Sequence, residues 1–337
     1  MSNYRLLALA AGAVLLGWAA AACGGDSGST LTVYSGRSES LVGPLLERYA
    51  DETGANIEVR YAGTAELAST ILEEGNNSPA DVYFAQDAGA LGALAKEGRL
   101  TELPASILDK VDARFRSDDG LWVGISARAR VVAYNTENVD PSELPDSILD
   151  FTDPEWKGRI GWAPTNGSFQ AFVTALRLTQ GEDGARAWLE GIKANDPVSF
   201  SGNLPALEAV ASGEVDVAFI NHYYLYQLRK ETGGNVNAAN YFLPGADPGA
   251  LVNVAGVGIL DSSDSREEAE KFIAWLLTEE SQQYFATETY EYAVIDGVPA
   301  EADLVALRDI QTPEIDLSDL DDLEGTLKLL QDTGVVP

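Results

Sequence analysis

The stretch VDVAFINHYYLYQLRKETG, residues 215–233, holds the one histidine of the chain, His222, and directly after it two adjacent tyrosines, Tyr223 and Tyr224, where a helix is expected to begin. A phenolate is a hard, anionic oxygen donor. It suits a small, highly charged cation such as Fe3+, which can displace the phenol proton despite an ordinary pKa of about 10. Metal ligation is one reading of the pair. The other is that Tyr223, Tyr224 and Tyr226 pack the helix against a sheet, and the local pattern does not choose between them.

Other chemistries find little support. A Ser-His-Asp or Cys-His catalyst needs a histidine beside its nucleophile, and the one cysteine, Cys23, lies in the N-terminal leader. Zinc and copper sites rest on several His or Cys ligands, which this chain lacks. No Walker loop and no G-x-G-x-x-G opens a helix after a strand. Carboxylates are abundant, but no spacing selects a catalytic pair, so no enzymatic activity is expected. The formal net charge of -31 leaves no large basic surface for nucleic acid.

Elements able to position the tyrosines are legible in the same way. LTVYSG, NIEVRYAG, ADVYFAQD, WVGISARARVVAYNT, GRIGWAP and VDVAFIN read as strands. SLVGPLLERYADETG, TAELASTILEEGNN, GSFQAFVTALRLTQ, DGARAWLEGIKAN and REEAEKFIAWLLTEESQQYFA read as helices. The alternation predicts an α/β fold with mostly parallel strands, and 337 residues allow two lobes. The acidic segment EIDLSDLDDLEG reads as solvated surface.

From Leu31 almost to its end the chain resembles the ferric-iron-binding proteins of ABC importers, a group with the type 2 periplasmic-binding-protein fold. LTVYSGRSE, LASTILEEGNNSPADVYFAQDAGAL, GISARARVVAYNT, DPEWKGRIGWAPTNGSF, SGNLPALEAVASGEVDVAFINHYYLYQL, DPGALVNVAGVGIL and EAEKFIAWLLTEESQ carry the resemblance in order. It implies two α/β lobes that close over Fe3+, residues 31–127 with 254–337 forming the first and 128–253 the second, with C-terminal helices able to pack across them. Hinge strands are expected near RARVVAY and GALVNVAGVGI. It also implies that Tyr223 and Tyr224 are the metal ligands and that a synergistic anion, carbonate or phosphate, completes the coordination. Asn166, Gly167 and Ser168 in TNGSF match the anion loop, Asn203 and Asn221 the anion-binding asparagines, and Arg128 the arginine that holds carbonate. Arg37, on the first strand-to-helix turn, is expected beside the cleft. Arg130 is expected to face away from it and to be structural.

Two positions depart from the resemblance. The relatives' histidine ligand falls at Ser38 and their glutamate ligand at Gln86, and neither is a strong Fe3+ ligand. Water, a bidentate anion, Glu39 or Asp87 are the candidates to fill the vacancy, while His222 occupies a different motif position. The partners implied are ferric iron and a membrane permease, with the protein acting as a monomer. An anion binder for a phosphonate or another phosphorylated metabolite, and a tethered sensor domain, are the alternatives.

The first 22 residues, with Arg5, an apolar Ala/Leu run and small residues before Cys23, read as an export signal. Residues 23–30 form a Gly/Ser/Asp tether, and AAAC at 20–23 resembles a lipobox. The expected location is the outer face of the cell membrane, through lipid on Cys23, or the periplasm. A diacylglyceryl group supplies two buried acyl chains, enough for stable anchoring where one chain is marginal. Cys23→Ser should therefore move the protein from the membrane to the soluble fraction, and an unmodified Cys23 in the intact mass of native protein would contradict the lipobox assignment.

Overall fold

The computed structural model describes residues 30–300 and 304–337, so Cys23 and the export segment lie outside the described residues. The first half contains β1 (Leu31–Ser35), α1 (Glu39–Thr53), β2 (Ile57–Tyr61), α2 (Thr64–Glu74), β3 (Val82–Ala85), α3 (Ala88–Lys96), β4 (Leu100–Thr101), α4 (Ala105–Leu108) and the long β5 (Val123–Asn135). The second contains β6 (Ile160–Trp162), α5 (Gly167–Ala194), β7 (Val198–Ser199), α6 (Asn203–Ser212), β8 (Val217–Asn221), α7 (Tyr223–Thr232) and β9 (Ala238–Tyr241). The chain returns through β10 (Val252–Leu260), α8 (Arg266–Leu276), α9 (Glu279–Tyr284), β11 (Tyr292–Ala293) and α10 (Leu323–Asp332). The two helices expected over residues 167–180 and 183–195 are present within α5 as two helical segments separated by a kink at Gly181, whose φ of 74° no other residue type adopts easily.

Strands VYFA and VAFIN, Val82–Ala85 and Val217–Asn221, are buried at every position, as sheets covered by helices on both faces require. The strand order is β2-β1-β3-β10-β5-β8-β6-β7. β2, β1 and β3 are parallel, as are β7, β6 and β8, while β10 and β5 run antiparallel to their neighbours. β5 changes partner along its own length. Val123 to Ala129 pair with β10, and Arg130 onward pairs with β8 and then β9. One apolar cluster surrounds the first sheet half and two others flank the second, so each lobe has its own core.

The C-terminal segment is a further crossing between the lobes. Leu317 and Leu320 belong to the first core, Leu329 and Leu330 to the second. The change of allegiance falls between two neighbouring residues. Asp321 meets Lys96 of α3 at 2.7 Å, and Asp322 meets Arg177 of α5 at 2.8 Å. α3 lets this strap lie against its backbone because Gly89 and Gly92 have no side chains. A Cβ at Gly89 would stand 2.2 Å from the Leu320 carbonyl oxygen, and one at Gly92 2.1 Å from that of Ser318. Gly92→Ala must displace the strap or bend the helix, and overpacking of this kind costs about 1–3 kcal/mol. A denaturant titration should show that loss, and an unchanged midpoint would mean that the strap contributes nothing to stability.

Candidate metal centre

β8 delivers Asn221 at its last position, opposite Arg130 of β5, and α7 begins two residues later at Tyr223. His222 lies between them and is wholly used by the fold. Its Nδ1 accepts the Ala129 N–H at 3.1 Å, so Nε2 carries the proton and donates it to the Tyr290 carbonyl at 2.9 Å. The ring stacks on Tyr292 with centroids 4.5 Å apart. With both nitrogens engaged, no lone pair is left for a metal.

Tyr223 and Tyr224 stack on one another, centroids 4.3 Å apart and planes 29° inclined, at the positive end of α7. Tyr223 is buried and Tyr224 half-buried. Burial pushes the Tyr223 phenol well above its ordinary pKa, the nearby Tyr224 and Glu291 push it the same way, and Arg128 opposes them. In the iron-free protein it is a neutral phenol, ionisable only by a strong Lewis acid.

TNGSF opens α5. Asn166 caps that helix, its Oδ1 accepting the Ser168 N–H at 3.0 Å and the Ser168 hydroxyl at 2.6 Å. Asn203, buried at the start of α6, donates its Nδ2 to Ser168 Oγ at 3.1 Å and keeps its Oδ1 unpartnered. These three residues thus meet, with Gly167 beside them on the cleft wall. Arg130 joins them: its Nη1 donates to Ser168 Oγ at 3.3 Å, its Nη2 to the Phe219 carbonyl at 2.8 Å, and its guanidinium covers the Phe172 ring. The expectation that Arg130 faces away is therefore wrong. Residues two apart along a strand share a face, so Arg128 and Arg130 point to the same side. Burial pushes the Arg130 guanidinium down to about 9, which still leaves it charged at neutral pH.

Arg128, 2% exposed, donates Nη2 to the Gln86 carbonyl and leaves Nε and Nη1 with no protein partner. Orphaned buried donors on a cation are a fit for an oxyanion. Arg128 lines a cleft of about 520 Å³ whose walls are α2 and α3 on one side, α5 on the other, and the strap at Leu320 to Leu323. Gln86, Asp87, Gly167 and Ser168 line the same cleft.

The first-lobe positions differ in their surroundings. Ser38 and Glu39 are exposed, Ser38 preceding α1 with its hydroxyl toward Ser40 and Glu39 lying near Tyr61. Asp87 caps α3 by accepting the Ala90 N–H, and burial raises its pKa. Arg37 donates Nη1 to Gln86 Oε1 at 2.9 Å and Nη2 to Glu291 Oε2 at 2.5 Å. Glu291, 1% exposed, also accepts from Ser126 and Thr289 and keeps Oε1 unpartnered. Sequence reasoning missed it. It follows a five-residue π-turn, Phe285–Thr289, and Tyr290 at φ 59°, where no periodicity marks an inward-facing residue.

His222 makes acid sensitivity of the iron-free fold testable. Burial holds its pKa at about 4 against an ordinary 6.5. In that window the unfolded chain binds a proton that the native state refuses, so this stabilisation is complete above pH 6.5 and is lost as pH falls toward 4. The shift corresponds to on the order of 3 kcal/mol. Urea titrations should show the parent losing that much relative to His222→Gln across the window, whereas parallel profiles would show that His222 does not titrate there.

Residues 77–316 match the family described as bacterial extracellular solute-binding protein. Over 338 aligned residues, covering 100% of this chain and 99% of the relative, the chain is 33% identical to the Fe(3+)-binding periplasmic protein of Serratia marcescens. The crystal structure of iron-bound HitA from Pseudomonas aeruginosa superposes with a TM-score of 0.84 at 38% identity, covering 90% of this chain and 99% of that one. A Trichodesmium protein solved with iron and citrate ligands superposes with a TM-score of 0.79 at 28% identity, covering 91% and 99%. The chain belongs to the bacterial extracellular solute-binding proteins, in the group that contains the ferric iron-binding periplasmic proteins.

Proposed function

We propose that this protein is the substrate-binding component of an ABC importer, capturing ferric iron together with an anion between its two lobes and delivering both to a membrane permease. As a member of a solute-binding family it is a carrier, not an enzyme. The observation that carries the reading is the stacked Tyr223–Tyr224 pair beside an Arg128 with two unpartnered buried donors. Fe3+ takes the place of the phenol protons, and the phenolates sit at the helix end that favours negative charge. Arg128, Ser168 and Asn203 hold the oxyanion, carbonate or phosphate, which also fills coordination positions that the first lobe does not supply. Closure about β5 and β10 brings the lobes over the cargo, and the closed form is what the permease recognises. The protein works as a monomer at the outer face of the membrane, held there by lipid on Cys23. The names of the Serratia and Pseudomonas relatives support iron as cargo, and the Trichodesmium protein, solved with iron and citrate ligands, supports an anion accompanying it.

Replacing both Tyr223 and Tyr224 by Phe keeps the ring volume and removes the donor oxygens. Loaded with ferric citrate, the parent should show a visible phenolate-to-iron band that the double variant lacks at unchanged thermal stability. A band that survives both substitutions would sink the assignment. A colourless parent that still binds a phosphonate would favour the anion binder, and one that binds neither would favour a sensor domain.

With no first-lobe metal ligand, iron binding should also depend on the anion. Removing both carbonate and phosphate should weaken it, and Arg128→Ala should do the same by about 10- to 100-fold, the range typical when a group that holds and orients a metal's ligands is lost. Iron affinity indifferent to both changes would show that side chains already complete the coordination.

A further inference from the structure

Gln86 stands at the end of β3 and is gripped on three sides. Its N–H donates to Thr64 Oγ1 at 3.1 Å, and Thr64 Oγ1 in turn donates to the Gly36 carbonyl at 3.3 Å. That close approach needs a glycine, because a Cβ at Gly36 would lie 2.2 Å from Thr64 Oγ1. The side-chain carbonyl of Gln86 accepts Arg37 Nη1 at 2.9 Å, and its main-chain carbonyl accepts Arg128 Nη2. One residue therefore binds two buried guanidiniums through its two carbonyl groups. Neither arginine is exhausted: Arg37 Nε, Arg128 Nε and Arg128 Nη1 all remain buried and unpartnered.

We infer that Gln86 is a positioning residue for the anion, aligning Arg37 and Arg128 so that the first lobe recognises the oxyanion instead of the metal. This rests on the reading of the cleft as a site for iron with an anion. The neutrality of Gln86 is central. Arg37 already has a buried carboxylate, Glu291, at 2.5 Å, and Asp87 lies close enough to Arg128 to interact with its charge, so a further carboxylate at residue 86 would make this wall net negative. An amide accepts the same hydrogen bond and adds no charge. The unpartnered guanidinium donors are what favour an oxyanion, and that preference exists before iron arrives.

The test uses inorganic phosphate and the full-length iron-free protein, so it does not depend on iron capture. Isothermal titration should show phosphate binding to the parent and to the Tyr223→Phe, Tyr224→Phe double variant alike. Gln86→Leu, which removes the side-chain acceptor, should weaken phosphate by roughly 3- to 10-fold. Gln86→Glu keeps an acceptor for Arg37 yet adds a charge within reach of the anion, and should weaken phosphate by more than about 10-fold. A purely structural role predicts the reverse order, because glutamate preserves the hydrogen bond that leucine loses. Thermal melts of both variants check that the fold survives. Equal phosphate affinity in all three proteins, no binding by the iron-free parent, or a leucine variant weaker than the glutamate variant would each overturn the proposal. So would a Gln86→Glu band that shifts and persists without phosphate, since residue 86 would then be at ligand distance. A colourless parent that binds phosphate with the predicted order would refute iron capture and leave the positioning role standing.

Discussion

The structure depends on the burial of three guanidinium groups, those of Arg37, Arg128 and Arg130, around the point where β5 leaves one sheet for the other. A buried charge is costly unless it is paired and hydrogen-bonded. Arg130 is offset by a carbonyl, a hydroxyl and the face of Phe172. Arg37 is offset by Glu291 and Gln86. Arg128 hydrogen-bonds only one main-chain carbonyl, with the Glu291 and Asp87 carboxylates acting on its charge from further off, so its donors are the least satisfied of the three. An oxyanion is the natural complement. The same positive floor would repel a bare trication, so Fe3+ becomes tolerable only with phenolates and an anion in place. Metal and anion are coupled through this charge balance.

The position of the floor explains how capture can be linked to movement. The partner of β5 changes between Ala129 and Arg130, and Ala129 is held by His222 on both of its main-chain groups. It donates to the imidazole and accepts the His222 N–H at 3.0 Å. The residue that immediately precedes the tyrosine helix is therefore tied to the residue at which β5 changes partner. On the other side of the same imidazole is Tyr290, one residue before Glu291. The ring contacts, the tyrosines and the carboxylate that binds Arg37 therefore all attach to the chain at this crossing. The C-terminal strap is anchored to opposite lobes at Asp321 and Asp322.

Much of the fold follows from local pattern. Uniformly apolar runs such as VYFA and VAFIN can only be covered strands, and Gly54, Gly213 and Gly233 stop their helices in the left-handed conformation that glycine favours. Paired tyrosines after a buried strand stand out in the sequence, but their local pattern leaves ligation and packing both open. Legibility failed where a polar residue has a common local use. Asp87 caps α3, and Ser38 precedes α1 without reaching the cleft. Arg130 was misjudged through the strand alternation, and Glu291 was invisible because a π-turn carries no face.

By itself the sequence determined the α/β alternation, the absence of His and Cys chemistry in the described domain, and the placement of two phenols at a helix start. Each depends on residues close in the chain, where periodicity and donor chemistry suffice. Only the tertiary structure decided which charges meet. Arg37 and Glu291 are separated by 254 positions, Arg128 and Gln86 by 42, and Arg130 and Ser168 by 38. Whether a given arginine holds an anion or a carboxylate of its own chain is a question of what packs beside it. That is settled by the crossing of β5, not by any motif along it.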